Sequence, residues 1–458
     1  MDVTARFAAF ARAPSEAIDR RTRAVGRLSL ADWIAVAIAG ADEPVSRLVR
    51  ARALAEGGAP EATALGGGRM PARAAAMVGA TTGHALDYDD THFLHIGHPT
   101  VAVAPAALAV AEREGTTLGA FLDAYLIGVE ASCRIGAWMG RAHYEAGFHQ
   151  TATAGAFGAP LAAARLLGLD ETATAHALGL CATRASGLKG QFGTMGKPMN
   201  AGFAAANGVE CADYAALGAS SALDGLEGAQ GFGPTHAGAG EASARDGLGE
   251  AWVFADVTHK FHACCHGLHA SLEALGEIRA RGLEPSAVAS VEIATHPRWR
   301  AVCDLPAPRT GLEAKFSYRL SAAMALSGVD TAALESWRDD LCARADLVAL
   351  RERVRVRADE TLADTAARVR VEATDGRVLE AAHDLADLPP LAEREARVGA
   401  KTAALIGEAR AAAVRAALDA PDGTPVGEVV AAIATGDGET VSGASASRTT
   451  RPAALGTH

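Results

Sequence analysis

Residues 368–382 read RVRVEATDGRVLEAA. Apolar and charged side chains alternate on both sides of Asp375-Gly376, and that dipeptide is a strong hairpin signal because both residues tolerate the positive φ of a tight reversal. Two further stretches, 288–294 and 354–357, are short, β-branched and partly alternating. Between the strand signals, residues 316–327 and 332–350 carry apolar positions at helical spacing. Residues 267–390 therefore read as a small α+β domain, opened near Pro285 and closed by Pro389-Pro390.

On either side of this unit the chain is helical. Residues 30–41 follow a helix pattern behind a Ser29 cap. Residues 71–78, 118–135, 151–167 and 198–217 repeat the habit, with Gly136, Gly168 and Gly218 read as C-terminal stops. A helical pattern resumes over 391–418. The fold class expected is mainly α with an α+β second domain: a large all-helical domain over 1–266, rejoined by 391–443, and the α+β domain 267–390. Residues 444–458, rich in Gly, Ser, Thr and Ala, read as a disordered tail. No fixed-period repeat is present, which disfavours a helical-repeat scaffold.

Composition bounds the class. A chain of 458 residues, 49% hydrophobic and 21% charged, can bury a large core and suits two domains. A net charge of -11 argues against an electrostatic grip on nucleic acid or an anionic membrane, so neither is an expected partner. Any anionic ligand must be drawn in by local cations. Seven scattered cysteines and the lack of a secretory-type start suggest reduced thiols and a cytoplasmic location. No charge-free apolar run reaches the roughly 18 residues that span a bilayer.

The chemistry-bearing stretch is His84-Ala-Leu-Asp-Tyr-Asp-Asp-Thr91, followed by His92, His95 and His98-Pro99. Side chains so costly to desolvate cluster in an alanine-rich sequence when they serve one another or a ligand. Asp87, Asp89 and Asp90 could cap helices or hold arginines; the functional alternative has Asp87 orienting a histidine and Thr91 contacting substrate. Three helix starts add to this. Lys197 precedes Pro198, and an ammonium beside free backbone N–H groups makes a carboxylate or phosphate site. His98 stands before Pro99, and His149 before Thr151, where the helix dipole favours a neutral imidazole able to take a proton. Metal binding has some support in the spacing of His92, His95 and His98 and in the crowd of His259, His262, Cys264, Cys265, His266 and His269. Neither segment shows a standard zinc spacing, and no metal ligand is assigned. Gly66-Gly67-Gly68 lacks the Lys-Ser/Thr of a phosphate loop and reads as a plain loop.

Five ordered motifs, spread over residues 30 to 390, resemble the MmgE/PrpD family: the run 84–91 with its later His-Pro, Gly147-Phe148-His149, residues 192–199, residues 260–269, and Glu313-Ala-Lys-Phe-Ser317. That family includes 2-methylcitrate dehydratases, cis-aconitate decarboxylases and iminodisuccinate epimerases. The resemblance implies a helical domain built from both chain ends, an α+β lid, a homodimer, an active site between the domains, and no metal or organic cofactor. It implies catalytic roles for His98, His149, Asp87 and Lys260, and substrate binding by Thr91, Lys197, Lys260 and His269; Lys260 enters only through it. Decarboxylase members place a tyrosine where this chain has Leu320, which ranks decarboxylation last. Ala263 and His266 also depart from the usual pattern. The activity expected is a cofactor-independent lyase of the hydratase/dehydratase type, 2-methylcitrate dehydratase-like, abstracting a proton beside a carboxylate of a small di- or tricarboxylate. An epimerase of an iminodisuccinate-like compound is the alternative, and a non-catalytic small-molecule binding protein the second.

Overall fold

The strand signals condense into one four-stranded sheet in a computed structural model of the protein, which describes residues 2–434. The strands of this sheet are β3 (Val288–Thr295), β4 (Val354–Ala358), β5 (Ala366–Ala373) and β6 (Val378–Asp384); a small hairpin, β1 (Ala62–Ala64) and β2 (Gly68–Met70), lies earlier in the chain. The order is β4-β3-β5-β6, with β3 parallel to β4 and antiparallel to β5. Gly376 takes φ +87 at the β5–β6 turn, as the Asp-Gly signal requires. Alternation sets the faces. Ala367, Val369, Val371 and Ala373 are buried, while Arg370 on the other face pairs with Glu372 and Glu380 at 2.6 and 3.5 Å. The buried face packs with the helices His269–Ala280 and Tyr318–Leu326 in an apolar cluster that includes Leu272, Ile278, Leu320 and Met324.

A second apolar cluster draws on residues 3–257 and 414–433. Its centre is alanine-rich, so its helices bury area by approaching closely rather than by interlocking large side chains. The helices Leu118–Glu145 and Gly155–Leu166 meet at Gly128 and Gly158, where a Cβ on Gly128 would fall 2.7 Å from the carbonyl oxygen of Gly158. After the sheet, the helix Leu391–Ile406 returns to pack on Arg20–Ala39. The protein is thus a large helical domain carrying a smaller mixed-sheet domain. Residues 20–42 contain an 18-residue stretch apolar and long enough to cross a membrane, but 67% of that stretch is buried inside the protein.

Several sequence expectations are corrected. Ser29 caps nothing: the helix starts at Arg20, where Asp19 accepts from the Thr22 N–H at 2.9 Å, and Ser29 lies inside it. Gly136 is no stop but sits within Leu118–Glu145, because a Cβ there would meet His95 Nδ1 at 2.6 Å; the helical run breaks instead at Gly140, with φ +73. Residues 151–167 divide into Gln150–Thr153 and Gly155–Leu166, and residues 332–350 into short turns, of which Asp339–Cys342 and Ala345–Arg351 are helical. Gly66 and Gly67 lie in a loop, the turn of the β1–β2 hairpin, and Gly68 begins β2. The tail at 444–458, with the end of the 391–443 span, lies outside the described residues.

Candidate active site

The acidic run follows directly on the helix Ala72–His84 and precedes Thr100–Arg113. Asp87 and Ile96 both take positive φ, +51 and +54, and such non-glycine strain persists where surrounding contacts hold it. Here two buried lysines hold consecutive carbonyls: Lys260 donates to the Asp87 oxygen at 2.7 Å and Lys401 to the Tyr88 oxygen at 2.6 Å. The turn sends Asp87 and Asp89 to different partners. Asp87 Oδ1 meets Lys197 Nζ at 2.6 Å and Lys260 Nζ at 3.1 Å. Asp89 accepts from His84 Nδ1 at 2.9 and 3.0 Å and lies 3.1 Å from His98 Nδ1.

Part of this cluster borders a cavity of about 800 Å³ between the domains. Asp87, His98, His149, Lys197 and Lys260 all line it. Next to Gly97, whose Cβ would fall 2.8 Å from the Thr151 nitrogen, the His98 N–H donates to Thr151 Oγ1 at 3.1 Å. His98 Nδ1 is buried 3.1 Å from Asp89 Oδ2, an ion-pair distance, and Nε2 lies 3.5 Å from Asp87 Oδ1. His149 caps the short helix Gln150–Thr153; its Nδ1 lies 3.3 Å from Asn200 Nδ2, and the Phe192 ring stands edge-on to its own. His84 lies between the two, edge-on to His98 at 4.6 Å and stacked with His149 at 5.7 Å. Lys197 belongs to the first turn of the helix Gly196–Ala216 rather than preceding it.

Electrostatics fix the charge states. Burial pushes the Asp87 carboxyl up, but the Lys197 and Lys260 ammonium groups outweigh it and hold it well below the usual carboxylate range. Burial likewise opposes ionisation of Asp89, and His84 and His98 outweigh it, so this carboxyl also stays low. Burial draws the Lys260 ammonium down, yet Asp87 lifts it above its ordinary value. His149 falls well below the normal histidine range through burial and the nearby His84 and Lys197, and His84 falls to about 4 for a similar reason. His149 is therefore a neutral imidazole at neutral pH.

Behind the site the sign reverses. Burial lifts Asp90 to about 7 although Thr100 Oγ1 donates to it at 2.6 Å. A folded-state value above the unfolded one, near 4, means that the folded chain holds a proton the unfolded chain releases. That contribution is complete below about pH 4 and is lost as pH rises toward 7. Asp90→Asn, which mimics the protonated acid, should flatten the fall in stability over this window in urea titrations. An unchanged slope would remove Asp90 from the account.

Two expected substrate contacts are corrected. Thr91 does not line the cavity; its Oγ1 lies 2.8 Å from Thr258 Oγ1 and 3.1 Å from His266 Nδ1, so it steadies His266, which does. His269 begins the helix His269–Ala280 and faces the Cys264 carbonyl and the rings of His262 and His266, away from the cavity. Nor does Asp87 orient a histidine as its main contact, since the lysines take it and Asp89 serves His98. His84, Asp89 and His266, named in the sequence without a site role, and Asn200, not singled out there, join the site. The histidines proposed for zinc are separately engaged: His92 with the Val253 carbonyl, His95 with the Ser132 carbonyl, His262 with Thr331. Among the described residues, the metal-type donors that do converge, within 4.8 Å, are His84, Asp87, Asp89 and His98. On Asp87 the lysine ammonium groups already take the position such an ion would use.

Ionised Asp89 behind one imidazole, a neutral imidazole nearby and two ammonium groups at a cleft are an arrangement suited to taking a proton beside a bound anion. Family models match the chain over both domains that build the cleft. Residues 4–244 match the MmgE/PrpD N-terminal domain and residues 262–417 the MmgE/PrpD C-terminal domain. A cis-aconitate decarboxylase of Aspergillus terreus is 31% identical over 230 residues, 45% of this chain and 46% of its own. The human cis-aconitate decarboxylase is 32% identical over 174 residues, 37% of this chain and 36% of its own. A cis-aconitate decarboxylase-like protein of Aspergillus oryzae, oryM, is 30% identical over 236 residues, 46% of this chain and 47% of its own. The chain thus matches these curated relatives over less than half of their length. With both domain matches in order and together covering most of its residues, the chain belongs to the MmgE/PrpD family.

Proposed function

We propose that the protein is a lyase of the hydratase/dehydratase type acting on a small di- or tricarboxylate. Lys197 and Lys260 hold a substrate carboxylate against the first turn of the helix Gly196–Ala216. His98 Nε2 takes the proton from the adjacent carbon, and Asp89 stabilises the imidazolium that forms, as a carboxylate does in a catalytic triad. His149, neutral and accepting from Asn200 through Nδ1, orients the departing hydroxyl with a hydrogen bond from Nε2–H, and the proton taken up by His98 passes to that hydroxyl so that it leaves as water; no metal or organic cofactor enters this scheme. The observation that carries the reading is His98, fixed by Asp89 at 3.1 Å and facing a cleft whose floor holds two ammonium groups. A homodimer is part of the same proposal, supported by the exposed apolar side chains Phe192, Met195 and Phe203 beside and along the helix Gly196–Ala216.

Epimerisation has its own support, since two imidazoles reach one cavity and could serve opposite faces of one carbon. Decarboxylation is the activity named for the curated relatives, whereas Leu320 here is fully buried in the α+β core and Tyr318 donates to the Gly267 carbonyl at 2.6 Å, away from the cavity. One experiment separates the outcomes. Candidate acids, 2-methylcitrate and cis-aconitate among them, are incubated in deuterated water and followed by NMR. Elimination gives new olefinic signals with no loss of carbon, and His98→Ala should lower its rate about 10²- to 10⁴-fold. Solvent deuterium at one carbon without olefin indicates epimerisation, released carbon dioxide indicates decarboxylation, and bound but unchanged acids indicate a binding protein.

A further inference from the structure

The cavity is drug-ligand-sized, and a four- to seven-carbon acid held on its floor leaves much of it unfilled. Its remaining wall carries a second group of cations. Lys189 Nζ lies 3.8 Å above the Tyr144 ring and donates to the Tyr144 carbonyl at 2.8 Å. The Arg298 guanidinium lies 5.7 Å from the same ring and 4.6 Å from that of Trp299. Arg298 and Arg141 share a single carboxylate oxygen of Asp364, at 2.5 and 3.0 Å. All of these residues line the cavity, and among the described residues Glu145 is the one further carboxylate on this wall. Burial first, and the charge of Arg298 after it, draw the Lys189 ammonium below its ordinary value against the pull of Glu145.

Cations placed side by side on a partly apolar wall repel one another unless an anion joins them. We propose that Lys189 and Arg298 form an outer carboxylate subsite, so that the substrate carries a second acidic group remote from the carbon that reacts. This rests on the reading above, in which Lys197 and Lys260 hold the inner carboxylate, and it adds the substrate's length and its second charge. Lys189 comes from the helical domain and Arg298 from the α+β domain, so a ligand reaching the subsite also ties the two domains together.

The test is calorimetric titration of the full chain with succinate, adipate and suberate, each beside its monoamide. For the wild type, the longer diacids should bind about tenfold or more tightly than their monoamides, the scale of one charge-assisted hydrogen bond. Lys189→Met and Arg298→Gln should each abolish that advantage and leave succinate affinity unchanged. Lys189→Met keeps the result interpretable if Arg298→Gln disturbs the domain contact through Asp364. Variants that preserve the advantage, or weaken short and long acids equally, overturn the subsite. Lys197→Met separates the two claims, since it should weaken every acid; if it does not, the inner clamp fails instead. If no acid binds the wild type, both fall.

Discussion

Asp89→Asn is expected to lower kcat by about 10²- to 10⁴-fold while the chain stays folded. The Asp89 carboxylate is wholly buried and serves two imidazoles, His84 at 2.9 Å and His98 at 3.1 Å. Because Asp89 stays ionised, it can only accept, so each of those nitrogens must carry the proton. For His98 this fixes the tautomer: Nδ1–H turns inward and the Nε2 lone pair turns to the cavity. An asparagine of the same shape offers an N–H to one of the two nitrogens, and the imidazole it meets must reverse its tautomer or lose its bond. The imidazolium formed during proton transfer also loses its counter-charge. Binding of an unreactive dicarboxylate should change little, because Lys197 and Lys260 are untouched. A kcat within a few-fold of wild type, at unchanged affinity, would mean that His98 is not the base or that Asp89 does not position it.

The unequal roles of Asp87 and Asp89 show where the sequence is legible and where it is not. Residue type and helix-start position single out His98, His149 and Lys197, because a helix N-terminus has a direction that sequence reveals. Which carboxylate meets which cation depends on the +51° φ of Asp87, and that turn is held by Lys260, 173 residues beyond Asp87, and Lys401, 313 beyond Tyr88. No local pattern carries this. His84 was visible only as the first letter of the run; its spacing of five from Asp89 gives no hint that it would stand between two other imidazoles. In the segment 260–269, His266 and His269 look equivalent as residue types, and only the turn into the helix His269–Ala280 aims one at the cavity and the other at the Cys264 carbonyl. The strands were readable for the opposite reason. Alternation and Asp-Gly are local, and β-branched residues on a half-buried sheet satisfy local and tertiary demands together. Helix limits were less readable where the cause lay elsewhere: Gly136 resembles a stop until His95 is placed against it, and the true start at Asp19 is masked by the arginines that follow.

Lys401→Met should cost about 3–5 kcal/mol of stability in urea unfolding, the scale of leaving one member of a buried ion pair without its partner. Lys401 Nζ lies 2.6 Å from Asp32 Oδ1, with side-chain exposures of 3% and 0%, and no other ion pair reaches Asp32 among the described residues. Burial already lifts the Asp32 carboxyl to about 6 against the pull of Lys401. Without the ammonium it rises further, so the variant should be relatively less destabilised at pH 5, where the acid is neutral, than at pH 8, where the folded chain must hold a bare carboxylate or bind a proton. Replacing both partners, Lys401→Met with Asp32→Leu, removes the stranded charge and should restore most of the stability. It should not restore activity. Lys401 also donates to the Tyr88 carbonyl and lies 3.9 Å over the Tyr88 ring, next to the strained Asp87 that Lys197 and Lys260 grip. With that donor gone the turn can relax, and Asp87 would no longer hold the two ammonium groups where a substrate carboxylate meets them. A double variant as stable and as active as wild type would reduce Lys401 to a core ion pair; one that is stable yet impaired, with raised KM, identifies it as a positioning residue for the anion clamp.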